Sequence, residues 1–273
     1  MDPAGQRRVP LRLAVLQADT PVPGIDARYG GGYLGVFRHL FARAVAPAPL
    51  DSVLSLTGYD VVGDPDSYPS LEDDVDAVLI TGSKHSAFGD DAWIKALVEF
   101  TRKALLTTSP PEGEKGATTT TTTKKGVRVV GVCFGHQIVA RTLGTMVARS
   151  DRGWEVSVTE TRLTEKGKEL FGKDTLHIQQ MHRDQAFGLP AGAELLAESD
   201  KCANHGFVMP GRAITVQGHP EFTEDMVREI LEARHATGLF SDELFQSGMD
   251  RKGNEQDGVL MARVFLDFIQ QQE

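Results

Sequence analysis

Cysteine is scarce in this chain of 273 residues, which contains only Cys133 and Cys202. Two cysteines are too few for a disulfide framework or for a cysteine-based zinc site, and such a composition is typical of proteins from a reducing compartment. The apolar stretch from residue 9 to residue 18 is interrupted by Pro10 and Arg12, so it does not have the continuous core of a signal peptide. These features predict a cytoplasmic protein.

Long apolar runs and clusters of positive charge are also missing. No run is long enough to span a bilayer, no basic cluster is longer than Lys124-Lys125, and the formal net charge is -9. Nucleic acids and anionic membranes are bound through clustered positive charge, so neither is an expected partner. The acidic run Glu72-Asp73-Asp74 with Asp76 is interpreted as a solvated face. No metal and no cofactor is expected.

The chain does have enough apolar residues, 40% of the total, to bury a substantial core. Short runs of Val, Ile and Leu alternate with longer amphipathic stretches, which predicts an α/β fold around a mostly parallel sheet. The predicted strands are 11–17, 53–56, 77–81, 127–132, 146–148, 155–161, 175–179, 194–197 and 214–217, the later ones antiparallel and exposed on one side. The predicted helices are 33–45, 91–106, 137–143, 224–235 and 258–271.

Residues 107–126 are of low complexity and include six consecutive threonines, Thr118 to Thr123. Such a composition cannot bury a core. We interpret the segment as a surface loop inserted into one domain that spans residues 1–273, because the strand that follows continues the βα pattern. A domain boundary is the alternative. Long insertions add closure entropy only slowly, so the loop need not disturb the sheet.

A nucleophile motif lies at Gly131-Val132-Cys133-Phe134-Gly135-His136-Gln137, between a predicted strand and a predicted helix. A strand-turn-helix elbow holds its nucleophile in a strained conformation, and the flanking glycines are needed where backbone comes too close for side chains. The helix N-terminus favours a thiolate. Cys133 is therefore a candidate nucleophile, although a buried cysteine in an ordinary βα turn would show the same local pattern.

The segment Gly218-His219-Pro220-Glu221 supplies the partners that such a nucleophile requires. A thiol needs an imidazole base, and the imidazole needs a carboxylate or amide that fixes its tautomer. His219 follows directly after the predicted strand 214–217, at the kind of strand tip where α/β proteins carry their catalytic groups. His219 is therefore the expected base and Glu221 the residue that orients it.

Together, GVCFGHQ and the downstream GHPE resemble the class I glutamine amidotransferases that use a Cys-His-Glu triad, and the resemblance covers nearly the whole chain. It implies a flavodoxin-like, mostly parallel sheet with flanking helices and a few antiparallel strands. Thr81-Gly82-Ser83 matches the oxyanion loop of that family, which implies that the N–H groups of Gly82 and Phe134 hold the oxyanion. It also implies contacts with the substrate's α-amino and α-carboxylate groups from Gln137, His182, Arg183 and Asp184. For His182, a structural role at a strand end is the alternative.

Within that family, residues 29–37 and 81–94 are similar to the γ-glutamyl peptidase branch, where a loop like 29–37 borders the substrate pocket. Tyr29 or Tyr33 would then line the pocket, with simple burial as the alternative. The segment Gly30 to Gly35 also has the GxGxxG spacing of dinucleotide-binding proteins. It lies a dozen residues beyond the first strand, whereas that motif requires the turn directly after the strand, so we do not interpret it as a nucleotide site.

The resemblance implies cysteine-dependent hydrolysis of γ-glutamyl peptides or glutathione conjugates through a γ-glutamyl thioester, with a small γ-glutamyl molecule as substrate and a place in glutathione metabolism. Glutamine offers the same electrophile, so the alternative is a glutaminase subunit that passes ammonia to a separate synthetase chain. Hydrolysis is preferred because no synthetase segment is found in the sequence. A non-catalytic binding module of the same fold is a further alternative, against which the intact Cys133, His219 and Glu221 argue.

Overall fold

The computed structural model describes residues 10–72, 75–106 and 126–271. The predicted loop therefore lies outside the described residues except for Gly126, as do Asp73 and Asp74 of the acidic run. The extent of the single predicted domain stays a prediction. In the described part of the chain, no helix combines the length and apolar character that crossing a bilayer requires.

Twelve strands and nine helices are found among the described residues. The strands are β1 (Leu11–Gln17), β2 (Leu54–Asp60), β3 (Ala77–Ile80), β4 (Arg128–Val132), β5 (Met146–Arg149), β6 (Glu155–Leu163), β7 (Thr175–His182), β8 (Asp184–Phe187), β9 (Glu194–Leu195), β10 (Ala197–Glu198), β11 (Phe207–Met209) and β12 (Ala213–Val216). The helices are α1 (Pro23–Tyr29), α2 (Tyr33–Val45), α3 (Leu50–Val53), α4 (Ala92–Leu106), α5 (Phe134–Thr142), α6 (Glu165–Phe171), α7 (Glu224–Ala236), α8 (Asp242–Arg251) and α9 (Gly258–Gln270).

A seven-stranded sheet in the order β2-β1-β3-β4-β12-β11-β9 forms the centre of the structure. The five strands from β2 to β12 are parallel to their neighbours, and β11 is antiparallel to both β12 and β9. The fold prediction of a mostly parallel sheet with some antiparallel strands is thus confirmed. Parallel strands of this kind are buried on both faces, which explains their nearly continuous apolar sequences.

Alternate residues of β1 enter two separate core clusters. Leu13 and Val15 pack in the cluster that α2 and α9 complete, whereas Ala14 and Leu16 pack in the one that α4 and α5 complete. This alternation follows from the two-residue repeat of a strand, whose side chains point to opposite faces. Helices therefore cover the sheet on both sides and leave its strand ends open for a site.

Two smaller sheets lie beside the central one. The long β6–β7 hairpin pairs with β10, and β5 pairs with β8. The end of β7 meets the segment after β12, where the His219 N–H donates to the Gln179 carbonyl over 2.8 Å. The hairpin thereby brings residues from positions 155 and 182 next to those from position 219.

Several predicted elements differ from the observed ones. The predicted strand 53–56 corresponds to β2, which begins directly after α3, at Leu54, and extends to Asp60. Strand β12, predicted among the exposed antiparallel strands, is buried and parallel to β4. Helix α5 begins at Phe134, three residues earlier than expected. Helices α6 and α8 were not predicted, although their sequences carry a start signal: the side chains of Thr164 and Ser241 accept from the N–H groups of Gly167 and Leu244.

Candidate active site

Cys133 lies between β4 and α5 with φ 51° and ψ -102°. This is the strained elbow that the sequence predicts, and few non-glycine residues adopt it. The flanking glycines are required by close packing: a Cβ on Gly131 would lie 2.8 Å from the carbonyl carbon of Gly135, and one on Gly135 would lie 2.2 Å from the Ile80 oxygen. The sharp turn holds the sulfur atom at the carboxyl end of the sheet.

His219 reaches the same place from the neighbouring strand. Val132 and Val216 are paired in the β4–β12 register, and the Cys133 N–H donates to the Val216 carbonyl over 2.8 Å. The His219 ring stacks on Phe222, with 3.9 Å between ring centroids and 6° between planes. Its Nδ1 lies 2.8 Å from Oε1 of Glu221, whose side chain is completely buried. The structure thus brings the three predicted triad residues together.

The electrostatics of this group favour a charged imidazole. Burial alone would lower the pKa of His219, but the negative charges of a Cys133 thiolate and of Glu221 outweigh it and raise that pKa to about 10. A hydrogen bond between His219 and Cys133 contributes in the same direction. The arrangement therefore favours a protonated His219 beside Cys133, and a neighbouring cation of this kind activates a cysteine nucleophile.

The two predicted oxyanion donors lie beside the thiol. A Cβ on Gly82 would lie 2.7 Å from Cε1 of His219 and 3.7 Å from Cβ of Cys133. The Thr81 hydroxyl anchors this loop, since it donates to the Gly82 carbonyl and accepts from the Ala18 N–H, both over 3.0 Å. Phe134 is the first residue of α5, so no preceding helical turn uses its N–H group.

The four predicted substrate contacts share one small cavity with Cys133, with a volume of about 70 Å³ and lined by Gln137, His182, Arg183 and Asp184 among others. The Gln137 amide already donates to the Asp184 carbonyl and to Oε1 of Gln217. The Asp184 carboxylate accepts from the Ser86 hydroxyl over 2.8 Å and pairs with Arg149 over 3.0 Å. Arg149 and Ser86 were missed by the sequence, because neither carries a motif.

The imidazole of His182 belongs to a buried group behind this cavity. Oε2 of Glu155 lies 3.2 Å from Nε2 of both His182 and His205, and the Ser199 hydroxyl donates to Oε1 of Glu155 over 2.8 Å. Burial lowers the pKa of His182. Burial opposes ionisation of Glu155, yet the two imidazoles hold the pKa of its carboxyl far below the usual range. These contacts favour the structural alternative for His182.

The three side chains Glu155, His182 and His205 would also fit a metal ion, since one ligand atom from each lies within 4.8 Å of the others. Zinc, however, is usually held by four ligands, or by three and a water. Glu155, His182 and His205 supply only three ligand atoms, and the Ser199 hydroxyl already donates to Oε1 of Glu155, so we assign no ion to this group. His205 was not among the predicted site residues, because no motif relates it to His182 or Glu155.

A second, larger cavity of about 460 Å³ is lined by His219, and its walls also include Tyr33, Met181, Phe222 and Ile230. Tyr33 therefore both lines a cavity and is buried. Tyr29 instead contacts the Thr223 hydroxyl. The glycines before Tyr33 connect α1 to α2, and a Cβ on Gly35 would lie 1.9 Å from the Gly30 oxygen, so the segment is a tight helix connection.

Comparisons with known proteins place this site in a family. The model of the class-I glutamine amidotransferases matches residues 108–234. A putative glutamine amidotransferase-like protein of Schizosaccharomyces pombe is 34% identical over 259 residues, which cover 94% of this chain and 98% of the relative. The chain belongs to the class-I glutamine amidotransferase family. Gamma-glutamyl peptidase 3 of Arabidopsis thaliana is 32% identical over 266 residues, or 94% of this chain and 96% of the relative.

The family assignment agrees with the fold. The crystal structure of a glutamine amidotransferase from Thermotoga maritima superposes with a TM-score of 0.66 at 18% identity, covering 96% of this chain and 99% of that one. At that identity the likeness concerns the fold alone. The family and its relatives support a hydrolase of the glutamine amidotransferase type.

Proposed function

We propose that the protein hydrolyses γ-glutamyl amide bonds of peptides or glutathione conjugates, with Cys133 as nucleophile, His219 as general base and acid, and Glu221 as the residue that orients His219. The observation that carries this proposal is the pair of adjoining cavities at the candidate triad, a small one lined by Cys133 and a large one lined by His219. The small one carries amide and charged side chains able to bind a glutamyl group. The large one has room for a leaving amine, whereas ammonia from glutamine needs no such space.

The first half of the reaction forms a thioester. With the Cys133 proton held on His219, the thiolate attacks the γ-carbonyl carbon while the N–H groups of Gly82 and Phe134 hold the developing oxyanion. When the tetrahedral intermediate collapses, the C–N bond breaks and the imidazolium of His219 gives its proton to the leaving amine. Glu221 keeps the imidazole oriented and compensates its positive charge.

The second half releases glutamate. A water molecule in the position left by the amine gives a proton to His219 and attacks the thioester carbonyl. The C–S bond then breaks, and the sulfur recovers a proton from His219. Around the glutamyl group, Asp184 is the proposed partner of the α-amino group, with Arg149 and Arg183 for the α-carboxylate. A cytoplasmic location and a small-molecule substrate complete the proposal.

A glutaminase subunit is the second candidate, supported by the relatives whose names are those of glutamine amidotransferases. It would pass ammonia to a separate synthetase chain. The large cavity weighs against the glutaminase candidate, because a docked synthetase would have to supply an ammonia channel that starts at this cavity, next to His219.

A substrate panel with one enzyme preparation tests the proposal. Glutamine, glutathione and S-substituted glutathione are compared by the release of glutamate, and Cys133→Ser is the control that retains the shape of the site. We expect kcat/KM to be highest for the peptides. Ammonia release from glutamine alone, and only after addition of a synthetase, would favour the second candidate. A third measurement, covalent labelling by an electrophilic glutamine analogue, separates both from a binding module, which would not react at Cys133.

A further inference from the structure

Arg234, on α7, lines both cavities, as do Ser83, Lys84 and Met181. The guanidinium carbon lies 5.1 Å from the centre of the Trp154 ring and 5.7 Å from that of the Phe240 ring. Contacts of this kind hold an arginine side chain against aromatic faces while leaving its N–H groups available. The side chain is therefore held in position at the edge of the site.

The charge of Arg234 lacks a protein partner. Among the described residues no carboxylate forms an ion pair with it, and Nη1 is buried without a hydrogen-bond acceptor. Burial lowers the pKa of Arg234, against the opposing charges of Cys133, Tyr33 and Asp19, but an arginine stays protonated in proteins. A buried cation without a counter-ion is unfavourable, and a bound anion would remove that cost.

The second cation of the large cavity is already paired. Nζ of Lys84 lies 2.6 Å from Oδ1 of Asp19, and the Lys84 N–H donates to the other oxygen of the same carboxylate. Of the lysine and arginine side chains that line this cavity in the described structure, Arg234 is thus the one without a carboxylate partner. An arginine with free donors binds a carboxylate through two parallel hydrogen bonds.

The leaving amine belongs in the large cavity. His219, which must give a proton to that amine, lines the large cavity, whereas Cys133 and Phe134, which hold the acyl group, line the small one. The small cavity has its own arginines, Arg149 and Arg183, for the glutamyl α-carboxylate. A carboxylate on the leaving group would then meet Arg234.

We propose that Arg234 binds the carboxylate of the leaving group, so that the protein selects γ-glutamyl peptides whose leaving amine is an amino acid or dipeptide with a free carboxyl end. This inference rests on the proposed function. It narrows the substrate class to γ-glutamyl peptides whose leaving group carries a carboxylate. Simple γ-glutamyl amides without that carboxylate should bind less well, although the chemistry at Cys133 is the same for peptides and simple amides.

Matched substrates test the inference without any mutation. Each pair differs only in the terminal group: γ-glutamylglycine against γ-glutamylglycinamide, and S-methylglutathione against its C-terminal amide. We expect the wild-type protein to prefer the acid in at least one pair by about 10- to 100-fold in kcat/KM, the range for a hydrogen bond to a charged group. The preference should be found mainly in KM, since the contact is made in the ground state and the transition state alike. Equal rates within both pairs would overturn the inference.

The variant Arg234→Met retains an apolar stem against the two aromatic rings but has no charge. We expect it to lose the preference by slowing only the acids, while the amides change by less than about 3-fold. Arg228→Met is the matched control on the same helix, because Arg228 pairs at the surface with Asp225, and it should keep the preference. Equal losses on acids and amides in Arg234→Met would assign Arg234 to the glutamyl group or to folding, against the inference. If the wild-type protein cleaves none of the four compounds, the proposed function itself fails.

Discussion

Two regions of the molecule each set a histidine against a buried carboxylate, with opposite electrostatic results. At the elbow, one imidazole, His219, faces two negative groups, Glu221 and a Cys133 thiolate, and its pKa is raised. Behind the site, two imidazoles, His182 and His205, share one carboxylate, Glu155, and burial lowers the pKa of His182. The same residue types thus favour proton transfer in one place and a neutral, structural imidazole in the other. The balance of charges, rather than the side chains themselves, makes the difference.

Of the substitutions at these two regions, replacement of Cys133 should cause the largest loss of activity. For Cys133→Ser we expect γ-glutamyl hydrolysis to fall by about 10⁴-fold or more, since loss of a nucleophile removes the covalent route altogether. Single-turnover kinetics and covalent labelling measure it. Cys202→Ser is the control, because Cys202 is buried and donates to the Asn204 carbonyl, which a serine is able to do as well. Loss of labelling in the control instead would mean that the wrong cysteine has been chosen.

Neutralising the carboxylate at the elbow should have the next largest effect. Glu221→Gln retains the size of the side chain but allows the wrong imidazole tautomer, and we expect kcat to fall by about 10²- to 10⁴-fold. The melting temperature should change little beside this loss. An unchanged kcat in a folded variant would remove Glu221 from the machinery.

The same variant should change the pH dependence of kcat/KM. Because the pKa of His219 is raised from 6.5 to about 10, its imidazolium form persists through neutral pH and is lost as pH rises toward that value. Glu221→Gln removes one of the charges that raise this pKa, so the alkaline limb should move to lower pH. A pH profile on one peptide substrate measures the shift, and a limb that stays in place would contradict it.

Neutralising the other carboxylate, Glu155, should lower the stability of the protein more than its activity. For Glu155→Gln we expect a loss of about 2 kcal/mol in the free energy of unfolding, because buried imidazole groups lose a charged acceptor, while kcat falls by less than about 10-fold. Urea unfolding and kinetics on one preparation provide both numbers. A selective loss of kcat at full stability would instead make this group part of the catalytic site.

The smallest expected effect is a decrease of the free energy of unfolding of the wild-type protein in acid. His182 has a lowered pKa, so below its ordinary value of 6.5 the unfolded chain takes up a proton that the folded one does not. Glu155 has a lowered pKa as well, so its contribution is present above 4.5 and is lost as pH falls toward its folded value. Stability should therefore decrease as pH falls below about 6.5, and Glu155→Gln should flatten the part below about 4.5. Equal slopes in both proteins would contradict this.

How much the sequence predicts depends on how local a feature is. The elbow at Cys133 and the pair His219 and Glu221 could be read from short motifs, because each is built from one strand end and the turn after it. Glu155 and His205 lie 50 residues apart and carry no motif, so nothing local relates them to His182. Arg234 looks like any charged residue of an amphipathic helix. Helix α3 was not predicted, because four residues are too few to show a helical period.

The layered fold, the candidate nucleophile and its candidate base could be predicted from the sequence, because strand and helix periods and the sterics of a glycine-flanked turn act over a few neighbouring residues. Which charges face one another follows from the tertiary structure alone. It gave His219 two negative neighbours, gave Glu155 two imidazoles, and left Arg234 without a partner between two cavities. Electrostatic energy in a protein interior depends on distance and burial across the whole fold, so these assignments follow from packing and not from the order of residues.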